Sequence, residues 1–103
     1  GDKVLKEVSD VFRRTFRETD LVARIGGDEF AVLLIGASMD RAMAIAERIR
    51  FSIEQTEFQN ITVSIGLSEY RGHFDLEGFV KSADDAMYTA KHSGGNRVHK
   101  NIR

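Results

Sequence analysis

Apolar residues recur at spacings of three and four at the start of the chain: Val4, Leu5, Val8, Val11, Phe12 and Phe16. That spacing places them on one face of a helix predicted from Lys3 to Arg17, with Lys6, Asp10, Arg13, Arg14 and Arg17 on the other face. The period then changes to two. Leu21, Ala23 and Ile25 alternate with Val22 and Arg24, as in a strand. After Gly26-Gly27-Asp28-Glu29, the run Phe30 to Ile35 is continuously apolar, which predicts a strand buried on both faces. Two strands around a short loop with two glycines predict an antiparallel hairpin.

Gly36-Ala37-Ser38 breaks the second strand. Ala42, Ile45, Ala46, Ile49 and Ile53 predict a helix from Met39 to Ile53 with Ser38 as its N-cap. Ile61, Val63, Ile65 and Leu67 alternate with small residues, a strand whose two faces are both expected to be covered. Tyr70 to Phe74 reads as a loop. Leu76, Phe79, Val80, Ala83, Ala86, Met87 and Ala90 form the face of a last helix capped by Asp75. Ser93-Gly94-Gly95-Asn96 ends it, because glycine suits the backbone that terminates a helix. Arg97 to His99 is the last short strand. The order α-β-β-α-β-α-β predicts an α/β sandwich of two or three layers (an α+β arrangement) with a mostly antiparallel sheet.

Composition narrows the classes. One domain fits 103 residues. With 15 basic and 16 acidic residues the net charge is −1, which argues against a nucleic-acid polymer as partner. No cysteine is present, so disulfides, thiolate metal sites and a cysteine nucleophile are excluded together. Membrane spanning takes about 20 apolar residues, and Phe30 to Ile35 is the longest run. No membrane contact is expected, and the segment reads as cytoplasmic, with membrane anchoring left open for a full-length protein. His73, His92 and His99 are scattered without metal-ligand spacing and read as surface residues.

Chemistry concentrates at Gly26-Gly27-Asp28-Glu29. Glycines and an aspartate serve an ordinary hairpin turn. Equally, consecutive glycine N–H groups form an anion-binding concavity, and two carboxylates beside it tolerate a phosphate only through a divalent cation. The turn thus stays open to both readings. Arg17-Glu18-Thr19-Asp20 has an arginine three residues before an aspartate, which by itself reads as a salt bridge at a helix end.

Arg24-Ile25-Gly26-Gly27-Asp28-Glu29-Phe30 resembles the signature of the GGDEF diguanylate cyclase family. Four further segments resemble that family in the same order: Asp20 to Arg24 with Ala31 to Leu34, Thr62 to Gly66, Ala83 to Lys91, and Gly94 to Val98. The resemblance implies a nucleotidyl-cyclase-like fold of βααββαβ topology. It implies condensation of two GTP into cyclic di-GMP with release of pyrophosphate, in bacterial second-messenger signalling. It also implies Mg²⁺ or Mn²⁺, a catalytic homodimer and a fused sensor or regulatory domain. Asp28 matches the metal-ligand carboxylate and Glu29 the neighbouring acid. Gly26 and Gly27 match the turn around the phosphates, Asp2 a guanine acceptor, and Lys91 a phosphate-binding lysine. Phe30 is expected to pack. Arg17 and Asp20 have the spacing of the family's product-inhibition site, which Arg48 is expected to complete around an intercalated cyclic di-GMP dimer.

The resemblance starts at Gly1-Asp2, where the family's second helix begins, so residues 1–103 read as a partial GGDEF domain. The family's first strand and helix, with a second metal aspartate and a guanine-reading asparagine, are unmatched. The expectations are that this segment alone has no cyclase activity and that the gap in its sheet is filled by dimerisation, strand exchange or rearrangement. Gly95 stands where the family often has a phosphate-contacting arginine. The alternative function is a non-catalytic receptor for cyclic di-GMP or GTP, and beyond that a purely structural interaction domain.

Overall fold

The computed structural model describes residues 2–26, 29–56, 61–72 and 75–101, apart from the side chains of 2, 4 and 24–26. Three helices and four strands come in the expected order: α1 (Asp2–Thr15), β1 (Leu21–Gly26), β2 (Glu29–Leu33), α2 (Met39–Glu54), β3 (Ser64–Ser68), α3 (Leu76–His92) and β4 (Arg97–Asn101). The caps are those the sequence predicts. Ser38 accepts from the Arg41 amide and Asp75 from the Gly78 amide, satisfying donors that a helix start leaves unpaired.

Strand pairing falls into two halves. β1 and β2 pair antiparallel, whereas β3 and β4 pair parallel, and among the described residues no ladder joins the two pairs. The mostly antiparallel sheet expected from sequence therefore holds for the first pair and not for the second. The α+β class stands.

Around β3 the domain is three layers deep. Val11 of α1 with Ile49 and Ile53 of α2 forms the buried cluster on one face, and Ile61, Val63 and Ile65 pack against it. On the other face Gly66 lies against α3, where a Cβ would overlap the backbone of Ala83 and Met87. Small residues on both sides, among them the buried Ala86 and Ala90, allow this close approach. β3 is thus covered on both faces, as its sequence suggests. It starts at Ser64 rather than at Ile61. The ladder begins with Ser64 opposite Arg97, and just before Arg97 the partner segment turns away through Gly94, Gly95 and Asn96, all with positive φ. Residues 61–63 therefore have no ladder partner there among the described residues, although Ile61 and Val63 still pack against the core.

The hairpin corrects another expectation. The run Phe30 to Ile35 is not buried on both faces: Leu33 at the end of β2 is 41% exposed and Ile35 beyond it 58%. Phe30 packs edge-on against Phe12 of α1, with ring centroids 5.1 Å apart. Among the described residues no helix covers the opposite face, so Leu21 and Leu33, paired across the ladder, remain open to solvent.

Candidate functional site

The hairpin tip is built by its register. Ala23 faces Ala31 and Arg24 faces Phe30, but the next pair is Gly26 with Glu29. One extra residue on β1 therefore makes a bulge, a device that twists a strand and re-aims the side chains beyond it. The tip residues Gly27 and Asp28, both expected in the site, lie outside the described residues. Glu29 is exposed, while its neighbour Phe30 turns in towards Phe12. Strand alternation explains the pair: anchoring Phe30 on α1 commits Glu29 to solvent. Phe30 packs, as expected.

Glu29 offers a hard oxygen donor and is adjacent in sequence to Asp28. Among the described residues no group of three or more His, Cys, Asp or Glu could cage a metal ion. This donor set fits a cation such as Mg²⁺, which takes one or two carboxylates and fills its octahedron with substrate phosphates and water.

A second cluster sits at the other end of the hairpin. The Asp20 carboxylate accepts from the Arg17 backbone N–H at 2.9 Å, from Arg17 Nε at 3.5 Å and from Arg17 Nη2 at 3.1 Å. Arg17 Nη2 also donates to the Ile35 carbonyl at 3.2 Å. Asp20 immediately precedes β1, and Ile35 lies just after β2, so one guanidinium fastens both chain ends of the hairpin. The hydrogen bonds from Arg17 hold the Asp20 carboxyl below its usual range against the opposing effect of burial, with a smaller contribution from the charge of Arg41. The Asp20 side chain is 2% exposed and that of Arg17 46%. Asp20 thus spends its acceptors on Arg17, which leaves Arg17 as the outward-facing member. A cleft of about 510 Å³ adjoins the pair, lined by Phe12, Phe16, Val22 and Phe30 with Arg13 and Arg17.

The remaining expected residues are not brought to these two clusters. Arg48 is exposed on α2 and makes no hydrogen bond to Arg17 or Asp20 among the described residues. Lys91 is exposed in the last turn of α3, a helix that packs on β3 and β4 and not on the hairpin. A cation there also complements the helix dipole. Asp2 is the first residue of α1, with its side chain outside the described ones. Gly95 has a local structural reason. Its φ is +70°, and its N–H donates to the Ala90 carbonyl at 3.0 Å, closing the end of α3. Among the histidines, His92 stacks on Tyr88 and is exposed, as is His99, while His73 lies outside the described residues. Arg41 was not legible as a site residue, because nothing in its spacing links it to Asp20, 21 positions earlier.

A glycine-bearing hairpin that presents an exposed acid, beside a strand layer flanked by helices, makes an α+β domain. Residues 1–97 match the family model described as diguanylate cyclase, GGDEF domain. The chain belongs to that family. It is 45% identical over 107 residues to diguanylate cyclase A of Treponema denticola, and 40% identical over 105 residues to diguanylate cyclase DosC of Escherichia coli. Each match covers 95% of this chain but only 28% and 23% of those relatives. The chain therefore spans about a quarter of their length. Among solved structures it is similar to the GGDEF domain of YfiN from Pseudomonas aeruginosa, with a TM-score of 0.84 and 37% identity over 99% of this chain and 68% of that one. The GGDEF domain of DgcB from Caulobacter crescentus, solved in complex with c-di-GMP, aligns with a TM-score of 0.86 and 28% identity over 97% of this chain and 64% of that one.

Proposed function

We propose that this chain is the cyclase domain of a signalling protein that condenses two GTP into cyclic di-GMP and releases two pyrophosphates. The observation that carries the reading is the hairpin tip, where Glu29 is held outward by the inward anchoring of Phe30, in a chain that matches the family along 97 residues. Asp28 and Glu29 would hold Mg²⁺ or Mn²⁺ together with the nucleotide's phosphates. Such an ion, when bound, would supply neutralisation of the triphosphate's charge and so ease attack by a 3′-oxygen. The chain's own residues orient the nucleotide: Gly26 and Gly27 leave room for phosphates to approach the backbone, and the match to the family assigns Asp2 the contact to guanine. Little covalent work falls to the protein, because alignment and electrostatics carry this kind of transfer. Two domains, each presenting one nucleotide, form the catalytic homodimer, and a sensor or regulatory domain in the remainder of the protein sets its activity.

Asp28→Ala in the full-length protein tests this. Cyclic di-GMP formation and pyrophosphate release should be abolished while nucleotide binding is weakened less. An unchanged rate overturns the reading.

The Arg17–Asp20 pair supports a second role in the same protein, a site for the product cyclic di-GMP formed by Arg17, Asp20 and Arg48. Its support is the half-exposed guanidinium of Arg17, held in place by a carboxylate buried beneath it. Calorimetry with cyclic di-GMP tests it. Heat from the wild type that is lost in Arg17→Ala is expected, and equal affinity of the two overturns it.

A further inference from the structure

Two side-chain ties join the β1–β2 hairpin to α1. Among the described residues no Cα of β1 or β2 lies within 8 Å of a Cα in any helix or in β3 and β4, so side chains bridge the gap. At the hairpin's base, Arg17 holds Asp20 and the Ile35 carbonyl. Near its other end, Phe30 meets Phe12 edge-on, with ring centroids 5.1 Å apart and planes at 89°. Phe12 is backed by Phe16, one turn further along, at 5.5 Å. Both rings of α1 pack on the buried cluster of Val11, Ile49 and Ile53.

The two ties govern different parts of the hairpin. From Asp20 to Gly26, the last residue of β1, the extended chain covers about 20 Å. The Arg17 grip therefore fixes the base and leaves the far end free to tilt. Phe30 sits next to Glu29 on β2, whereas the extra residue of the bulge lies on β1, between Arg24 and Gly26. Side chains alternate along a regular strand, so the way Phe30 is turned sets the way Glu29 is turned. Between α1 and the hairpin runs the cleft of about 510 Å³ lined by Ser9, Phe12, Phe16, Val22 and Phe30. The ring contact, not continuous packing, thus sets the height of β2 beside Glu29.

We propose that Phe12 is a positioning residue of the candidate metal site: through Phe30 its ring sets the direction and reach of the Glu29 carboxylate towards a divalent cation carried by the nucleotide. Phe12 touches neither ion nor nucleotide. The proposal rests on the cyclase reading above and adds to it a support on a different element. Mg²⁺ takes its oxygen ligands at ~2.0–2.1 Å in near-ideal octahedral geometry, so a small displacement of a ligand's support is felt at the ion. Groups that orient a metal ligand without touching the metal are typically worth about 10–100-fold in affinity or activity.

Mn²⁺ binding to the full-length protein tests it, followed by electron paramagnetic resonance with an α,β-methylene analogue of GTP, which cannot release pyrophosphate. Phe12→Ala should weaken Mn²⁺ binding about tenfold, and Phe12→Leu, which keeps an apolar side chain there, should lose less. Phe16 packs on the same core cluster but makes no ring contact with Phe30 among the described residues. Phe16→Ala should therefore lower the melting temperature comparably and bind Mn²⁺ as the wild type does. In a Glu29→Gln background Phe12→Ala should add little, because a residue that acts through Glu29 then has nothing left to position. Wild-type affinity in Phe12→Ala, an equal loss in Phe16→Ala, or a full further loss in the Glu29→Gln background overturns the role of Phe12 and leaves the cyclase reading standing. Unchanged Mn²⁺ binding and cyclic di-GMP formation in Glu29→Gln overturn the metal-site reading and Phe12 with it.

Discussion

Gly66 of β3 and Met87 of α3 meet backbone to backbone, so close that a Cβ on Gly66 would overlap the Met87 amide. This contact seats α3 on one face of the β3–β4 pair while α1 and α2 cover the other. The colliding atoms are main chain, so no side-chain rotation relieves the overlap. Gly66→Ala should therefore destabilise the domain by about 3 kcal/mol or more, at the upper end of overpacking effects. Chemical denaturation checks this, and a midpoint equal to that of the wild type sinks it.

Asn96 joins segments far apart in sequence. Its carbonyl oxygen accepts from Arg50 Nη1 at 3.0 Å and its amide donates to Glu54 at 2.6 Å. Arg50 is held still more firmly in its charged form, chiefly by Glu47. Asn96 also adopts φ +49°, where asparagine is tolerated better than alanine. Asn96→Ala loses both the bonds and the conformational fit and should cost about 1–3 kcal/mol; Asn96→Gly, losing only the bonds, should cost less. Thermal melts that rank the two variants in the opposite order would contradict this account.

The carboxyl of Asp20 titrates below the usual aspartate range in the folded chain because Arg17 donates to it, with Arg41 adding a smaller effect. Its unfolded counterpart titrates within that range. The pair's stabilisation is accordingly complete at neutral pH and disappears as pH drops through the folded-state value. Asp20→Asn should melt below the wild type at pH 7, and the gap should close in acid. A gap that stays constant with pH contradicts the assignment.

Ser82 is 2% exposed, and its hydroxyl has no hydrogen-bond partner among the described residues. Its backbone carbonyl is satisfied by Asn101 at 3.1 Å. Removing an unsatisfied buried hydroxyl without opening much space should be neutral or stabilising by about 1 kcal/mol. A clear loss of stability in Ser82→Ala, measured by urea unfolding, shows that the hydroxyl has a partner after all.

Local signals were legible wherever one segment carries its own instruction. Helical periodicity and the caps Ser38 and Asp75 placed α2 and α3 to within two residues. The order of all seven elements came from changes of period. Arg17 and Asp20 were readable as a pair because both lie within four consecutive residues. Arg41 was not, since its approach to Asp20 depends on the path from β2 into α2. The strand Phe30 to Ile35 misled for a related reason: apolar composition reports what a segment can bury, and which neighbour covers it is settled elsewhere.

By itself the amino-acid order determined the helices, the turns, the acidic glycine motif and the family, because those rest on residues near one another in the chain and on matched segments. Only the tertiary structure decided that β3 and β4 run parallel, that Asp20 is buried beneath Arg17, and that Glu29 points outward because Phe30 is held by Phe12. Each of these depends on which distant backbone or ring fills the adjoining space, and close packing selects that partner from the whole chain at once.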